Sequence, residues 1–242
     1  MLRQSGRSVI LLVVLALGWE GLYRLTGDAG LASPGQAVAR LAVLLGTASF
    51  WDDIAATGWA FALALVLSVC GGLALGALLG TRRLVAAVSE PVLVNLYSLP
   101  KVTLYPVVLL VFGLGTSAKV AFGVMHGLIP LTLFTMNAIA QIRPSFLRTA
   151  TVMGLSQRQT LATVVLPAIL PDVLTGTRLS VSLSLLGVLI GEMFASTRGL
   201  GHVVMTAMES GDMATVLAVA LLLAVFAVTA NAALLAAGRP RR

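Results

Sequence analysis

Residues able to do acid–base, nucleophilic or metal chemistry are scarce in this 242-residue chain. The two histidines, His126 and His202, are far apart, and no His/Glu spacing supplies the converging ligands of a metal site. The single cysteine, Cys70, lies inside an apolar run, which excludes a disulfide framework and leaves a small apolar packing residue. No Ser/His/Asp set suggests a membrane-embedded enzyme. There is no Gly-x-x-x-x-Gly-Lys-Ser/Thr phosphate loop, so the chain cannot hydrolyse ATP by itself. What remains is a few ionisable groups in or beside apolar runs: Lys101, His126, Arg178 and Glu192. Such groups are costly in lipid and normally face an interior or a cavity, so these four are the candidate pathway or gate residues. Glu192 either pairs locally with Arg198 or stands at a gate or a binding-protein contact. His126 is a hydrogen-bonded packing residue or a ligand. Lys101, beside Pro100, attracts an anion or snorkels to the inner surface. Arg178 is six residues from Asp172, so the two do not face each other on one helix. It caps inner carbonyls or meets a cytoplasmic loop.

The elements that must position these groups are membrane helices. The chain is 58% apolar and 10% charged, against about 25% charged for a soluble domain. Apolar runs of 18 or more residues recur, and about 20 residues cross a ~30 Å hydrocarbon core. The pattern predicts an all-α integral membrane protein with six transmembrane helices: about 8–26, 54–80, 90–114, 118–141, 170–195 and 213–237. The first could be a signal peptide, but Trp19, Glu20 and Tyr23 replace the small-residue cleavage site, so a retained span is expected. Pro91, Pro100 and Pro106 interrupt the third, which predicts a span facing the bundle interior.

The net charge of +7 suggests nucleic acid at first, but the cations flank apolar runs instead of forming an aromatic-interleaved stripe. No nucleic-acid partner is expected; the lipid bilayer is. With the N-terminus inside, twelve of the sixteen cations lie inside: Arg3, Arg7, Arg82, Arg83, Lys101, Arg143, Arg148, Arg158, Arg178, Arg239, Arg241 and Arg242. Arg24, Arg40, Lys119 and Arg198 lie outside, as do most acids. This bias predicts an N-in/C-in topology. Pro34, followed by Val38, Leu41, Ala42 and Leu45, predicts a short helix in the outer interface. The chain therefore divides into residues 1–53, a first span plus outer segment, and 54–242, a core of five spans. Gly72 and Gly76 form a small-xxx-small pair suited to close helix packing.

The stretch from Pro144 to Pro167 carries unusual punctuation. Ser145 can cap a first short helix with apolar Phe146, Leu147, Ala150 and Met153. Gly154 suits a left-handed C-terminal cap. Ser156 and Gln159 form a capping box for a second helix, which Pro167 ends. An ordered pair of helices over about 145–166 either floats on the bilayer or docks into a groove on a soluble partner.

This stretch resembles the cytoplasmic signature of permease subunits of bacterial ABC importers, the binding-protein-dependent transport family. That signature runs Glu-Ala-Ala, three residues, Gly, nine residues, then Ile-x-Leu-Pro. Ala150, Gly154, Leu166 and Pro167 match at the right spacing, with Val164 for the isoleucine. Arg148 and Thr149 depart from the Glu and first Ala. Ser33-Pro34, Ser98-Leu99-Pro100, Phe112-Gly113-Leu114-Gly115, Pro130, Gly176-Thr177-Arg178, Glu192 and Gly199-Leu200-Gly201 are similar to the nitrate/sulfonate/taurine-type branch. The resemblance implies a type I, MetI-like bundle in the bacterial inner membrane, working as a homodimer. Cytoplasmic ABC ATPase subunits would use ATP and Mg, this chain holding no cofactor. A periplasmic or lipid-anchored substrate-binding protein would deliver a small solute, expected to be an organic or inorganic anion such as a sulfonate. The rival from another class is a stand-alone secondary transporter or channel; such proteins often show inverted repeats or buried acid relays, and neither is evident.

Overall fold

The computed structural model describes residues 2–27 and 30–237; the side chains of residues 2–9, 12, 195 and 237 lie outside that description. Asp28, Arg239, Arg241, Arg242 and the side chains of Arg3 and Arg7, all used in the charge count, therefore fall outside it. All regular structure among the described residues is helical. In chain order the helices are α1 (Leu2–Thr26), α2 (Pro34–Leu45), α3 (Ala48–Gly80), α4 (Arg83–Ser98), α5 (Tyr105–Phe112), α6 (Thr116–Ala140), α7 (Pro144–Val152), α8 (Gln157–Thr160), α9 (Leu166–Ala195), α10 (Leu200–Glu209) and α11 (Met213–Ala237).

Three helices make the core, and α6 is at its centre. Small residues let the backbones approach, as expected where apolar burial alone does not drive helix association. On α3, Ser68, Gly72, Gly76 and Gly80 recur every four residues and are all buried. A Cβ at Gly76 would sit 2.5 Å from Thr135 Cβ, and one at Gly80 would sit 2.7 Å from the Met136 carbonyl. The Gly72 and Gly76 pair is thus the α3–α6 seam. Gly176 on α9 faces α6 in the same way, 2.7 Å from Phe134 Cβ. Helix α2 begins with Pro34 in its first turn, as its sequence predicts, and the structure adds a capping box between Ser33 and Gln36. Its Leu41, Leu44 and Leu45 pack with Phe50, Leu200 and Val219. An Arg40–Asp212 ion pair at 3.0 Å ties α2 to the turn before α11.

The span reading needs correction in two places. Four helical runs are long and apolar enough to cross a membrane: Ala48–Gly80, Thr116–Ala140, Gln157–Phe194 and Met213–Ala236. The third expected span is not one helix. Arg83–Ser98 and Lys101–Phe112 meet at an 81° bend, giving a fifth candidate only if the pair counts as one broken span. The break falls at Pro100, which cannot continue the helix, while Pro91 lies inside α4 without ending it. The first expected span falls within α1, part of which lies outside the described side chains.

The second correction concerns the fifth span. It does not start at 170; it is continuous from Gln157 to Phe194. Pro167 does not stop the preceding helix. A π turn at Leu161–Val165, closed by the Leu166 N–H on the Leu161 carbonyl, lies directly before the proline. That wider turn accommodates the missing N–H and the ring clash that proline brings.

Candidate functional site

The two ends of the core hold different machinery. At one end, helix α10 starts against three side chains from other helices. Asp53 of α3 accepts from the Gly199 N–H at 2.7 Å. Thr57 of α3 accepts from the Leu200 N–H at 2.8 Å. Glu192 of α9 accepts from the Gly201 N–H at 3.0 Å and from the Thr57 hydroxyl at 2.8 Å. The first N–H groups of a helix have no internal partners and favour negative charge, so this knot acts as an N-cap supplied by tertiary structure. Lys119 of α6 completes it, 3.5 Å from Glu192 and donating to the Arg198 carbonyl at 2.9 Å. Glu192 is fully buried and Lys119 nearly so. Gly199 is required for both reasons that favour glycine: its φ is +114°, and a Cβ there would collide with the Glu192 carboxylate.

Arg198 is therefore not the partner of Glu192. It contributes its backbone carbonyl, and the cation is Lys119. A recess of about 800 Å³ opens beside the knot, lined in part by Thr116, Lys119, Ser196, Arg198, His202 and Glu209. Tyr105 at the start of α5 donates to the Gly191 carbonyl at 2.6 Å and stacks edge-on against Phe122. This contact packs the start of α5 against the Glu192 end of α9. The Lys101 ammonium folds back on the last turn of α4, donating to the Tyr97 carbonyl at 2.8 Å and lying 4.9 Å from the Tyr97 ring centre. A cation at a helix C-terminus is well placed. His126 Nδ1 meets the Phe122 carbonyl at 2.9 Å and its ring stacks on Phe122.

The opposite end carries residues 144–166. Helix α7 starts with Pro144 in its first turn; Ser145 does not cap it, and Arg143 holds the cap position without a side-chain bond. Its end is a Schellman motif. Gly154 has φ +68°, its N–H bonds the Thr151 carbonyl, and the Leu155 N–H bonds the Ala150 carbonyl. Ser156 and Gln159 close both bonds of a capping box. Of the motif residues, Ala150 is buried, Val164 half-buried, and Arg148, Thr149, Gly154, Leu166 and Pro167 exposed. Large apolar side chains stand outward here: Phe146, Leu147, Val152, Met153 and Leu161. Arg143, Arg148 and Arg158 are exposed in the same stretch, and no acid occurs between 144 and 166.

This two-ended bundle resembles transporter permeases in sequence and in shape. Residues 68–239 match the family described as binding-protein-dependent transport system inner membrane component. The chain belongs to that family. The permease is 27% identical to the taurine transport system permease protein TauC of Escherichia coli over 86% of this chain and 78% of that protein. It is 29% identical to the formylaminopyrimidine transport permease protein ThiX of Halalkalibacterium halodurans over 82% and 80% of the two chains. In shape it is similar to a chain of the MetNI methionine ABC transporter in an inward-facing conformation, with TM-score 0.55 and 19% identity, covering 81% of this chain and 96% of that one. The MetI-like fold follows, and the permease is a translocation subunit of an inner-membrane ABC importer, not an enzyme. ATP is used by a partner subunit in such systems. The stand-alone transporter reading is set aside by the family match.

Sequence reasoning missed Asp53, Thr57 and Lys119. A signal existed. Lys119 lies three residues into α6 and Glu192 three residues before the end of α9, so antiparallel packing brings the two charges to one depth.

Proposed function

We propose that two copies of this permease form the path of an ATP-driven importer for a small anion, with residues 145–166 seated in a groove of a cytoplasmic ATPase. The motif residues Arg148, Thr149, Ala150, Gly154, Val164, Leu166 and Pro167 form the coupling surface in this reading. The observation that carries it is the exposed apolar and basic turn, rigidly capped, whose second half runs unbroken as α8 and α9 to the Glu192 knot. A movement imposed at that turn is transmitted along one helix, not lost in a flexible linker. The orientation is N-in/C-in by the cation bias, so the 144–166 end is cytoplasmic and the knot and its recess face the binding protein. The Arg40–Asp212 ion pair links the 1–53 segment to the 54–242 core through α2. An anion such as a sulfonate is favoured because the TauC relative is named for taurine, which carries a sulfonate group.

The test is Gly154→Asp. A side chain at Gly154 meets nothing within 4 Å in this chain, but φ +68° strains any L-residue there, so Gly154→Asn, which carries the same strain without the charge, is the control that separates a loss at the partner from a loosened cap. We expect normal membrane insertion, reduced co-purification with a Walker-motif ATPase, and uncoupled transport. Normal transport with retained ATPase sinks the coupling assignment.

A further inference from the structure

Three long helices of this chain present an outward face, and one of them carries a charge within its span. On α3 the outward residues of the span are apolar, among them Trp59, Val66, Leu67, Leu75 and Leu78. On α11 they include Val225, Phe226 and Val228, with Thr229, which bonds its own helix, and Asn231, but no charged residue. Faces of this kind suit acyl chains. On α9, Thr175, Ser182 and Leu186 are exposed and Arg178 is half-buried among them. The spacing 175, 178, 182, 186 keeps them on one side of the helix. The other side is fully engaged: Gly176, Ser180, Ser184 and Val188 are buried.

The hydroxyls alone would be tolerable in lipid, because each bonds its own helix: Thr175 to the Pro171 carbonyl and Ser182 to the Arg178 carbonyl. Arg178 is what decides. Gly176, two residues away, packs on Phe134 within α6, so the backbone that carries Arg178 is inside the depth of the bundle. Its Nε is buried without a hydrogen-bond partner, and it forms no ion pair among the described residues. Lys119 and Lys101 are both satisfied, by Glu192 with a carbonyl and by the end of α4. A bare guanidinium facing lipid is costly, and intramembrane charges normally face a watery path.

We infer that this side of α9 is a wall of the solute path and that Arg178 is its charge-selecting contact, favouring an oxyanion over a cation. The planar guanidinium donors match a sulfonate or carboxylate. The inference rests on the permease reading and assigns part of the selectivity to this chain itself.

The test uses the transporter assembled with its ATPase in vesicles, with Cys70→Ala removing the native thiol. Thr175→Cys and Ser182→Cys are treated with small membrane-impermeant methanethiosulfonates, one anionic and one cationic; Val225→Cys on α11 is the lipid-facing control. Both α9 thiols should react and the control should not. With each rate divided by that reagent's rate with a small free thiol, the anionic reagent should react on the order of tenfold faster than the cationic one. That ratio should fall to about one in Arg178→Gln and persist in Arg178→Lys. Labelling of Ser182→Cys no faster than the control overturns the inference, because the stripe then faces lipid. So does a charge ratio that Arg178→Gln leaves unchanged. Both failures leave the permease reading standing, which falls only if no Walker-motif ATPase assembles with the chain.

Discussion

The two ends of the Gln157–Phe194 helix solve the problem of unsatisfied helix termini in opposite ways. Near Glu192, side chains from α3 and α9 cap the start of α10, and Lys119 of α6 neutralises them from inside the protein. At Gly154 and Ser156 the capping groups come from within a few residues, and the nearby apolar side chains are left exposed. The first arrangement binds four helices together and keeps its capping groups inside the protein. The second is self-sufficient, so its surface is free to dock. A rigid joint sits at one end of the helix and a rigid handle at the other.

The contrast breaks most visibly at Lys119. Lys119→Met leaves the buried Glu192 without its cation, which costs about 3 kcal/mol or more. Thermal unfolding in detergent should show a large drop, partly reversed by adding Glu192→Gln, which removes the charge but keeps the bonds to Thr57 and Gly201. Gly199→Ala follows, at about 2 kcal/mol, because left-handed backbone strain and a collision with Glu192 coincide. An unchanged midpoint would mean the knot is looser than its geometry.

At the handle the losses should be smaller and local. Ser156→Ala removes one capping bond, about 1 kcal/mol. It should fray the first turn of α8, raising amide exchange there while leaving the global unfolding midpoint alone. A fall in the midpoint would show that this turn is not self-contained. The smallest effect is at Asp212, outside the spans. Its carboxyl is held below the ordinary value of 3.8 by the Thr215 hydroxyl first, then by the Thr215 N–H and Arg40, against partial burial. A depressed carboxylate stabilises above its unfolded value and loses that contribution as pH falls through its folded value. The difference between the protein and Asp212→Asn should therefore be constant down to pH 3.8 and fade below it.

Much of the handle was legible in the sequence, because caps are written within four residues of the termini they serve. Gly154, Ser156 and Gln159 all behave as their local pattern requires. Two local readings failed. Ser145 leaves its expected cap unmade, and Pro167 passes through a continuous helix. The π turn that absorbs Pro167 leaves no residue signature of its own. The 81° break after Ser98 was foreshadowed by the cluster of prolines, but which proline breaks the helix was not.

By itself the sequence determined that this chain lives in the bilayer, has no phosphate loop and carries a capped pair of turns. Those properties follow from composition, periodicity and spacing along the chain, and the importer-like character of the turns from their resemblance to a family signature. Only the tertiary structure decided that Glu192 answers to Lys119 and not to nearby Arg198, that Lys101 serves the end of α4, and that Arg178 lacks a partner on a polar face of α9. The reason is physical. A buried charge is settled by whichever groups antiparallel packing brings to the same depth, and that pairing spans 73 residues of sequence between Lys119 and Glu192.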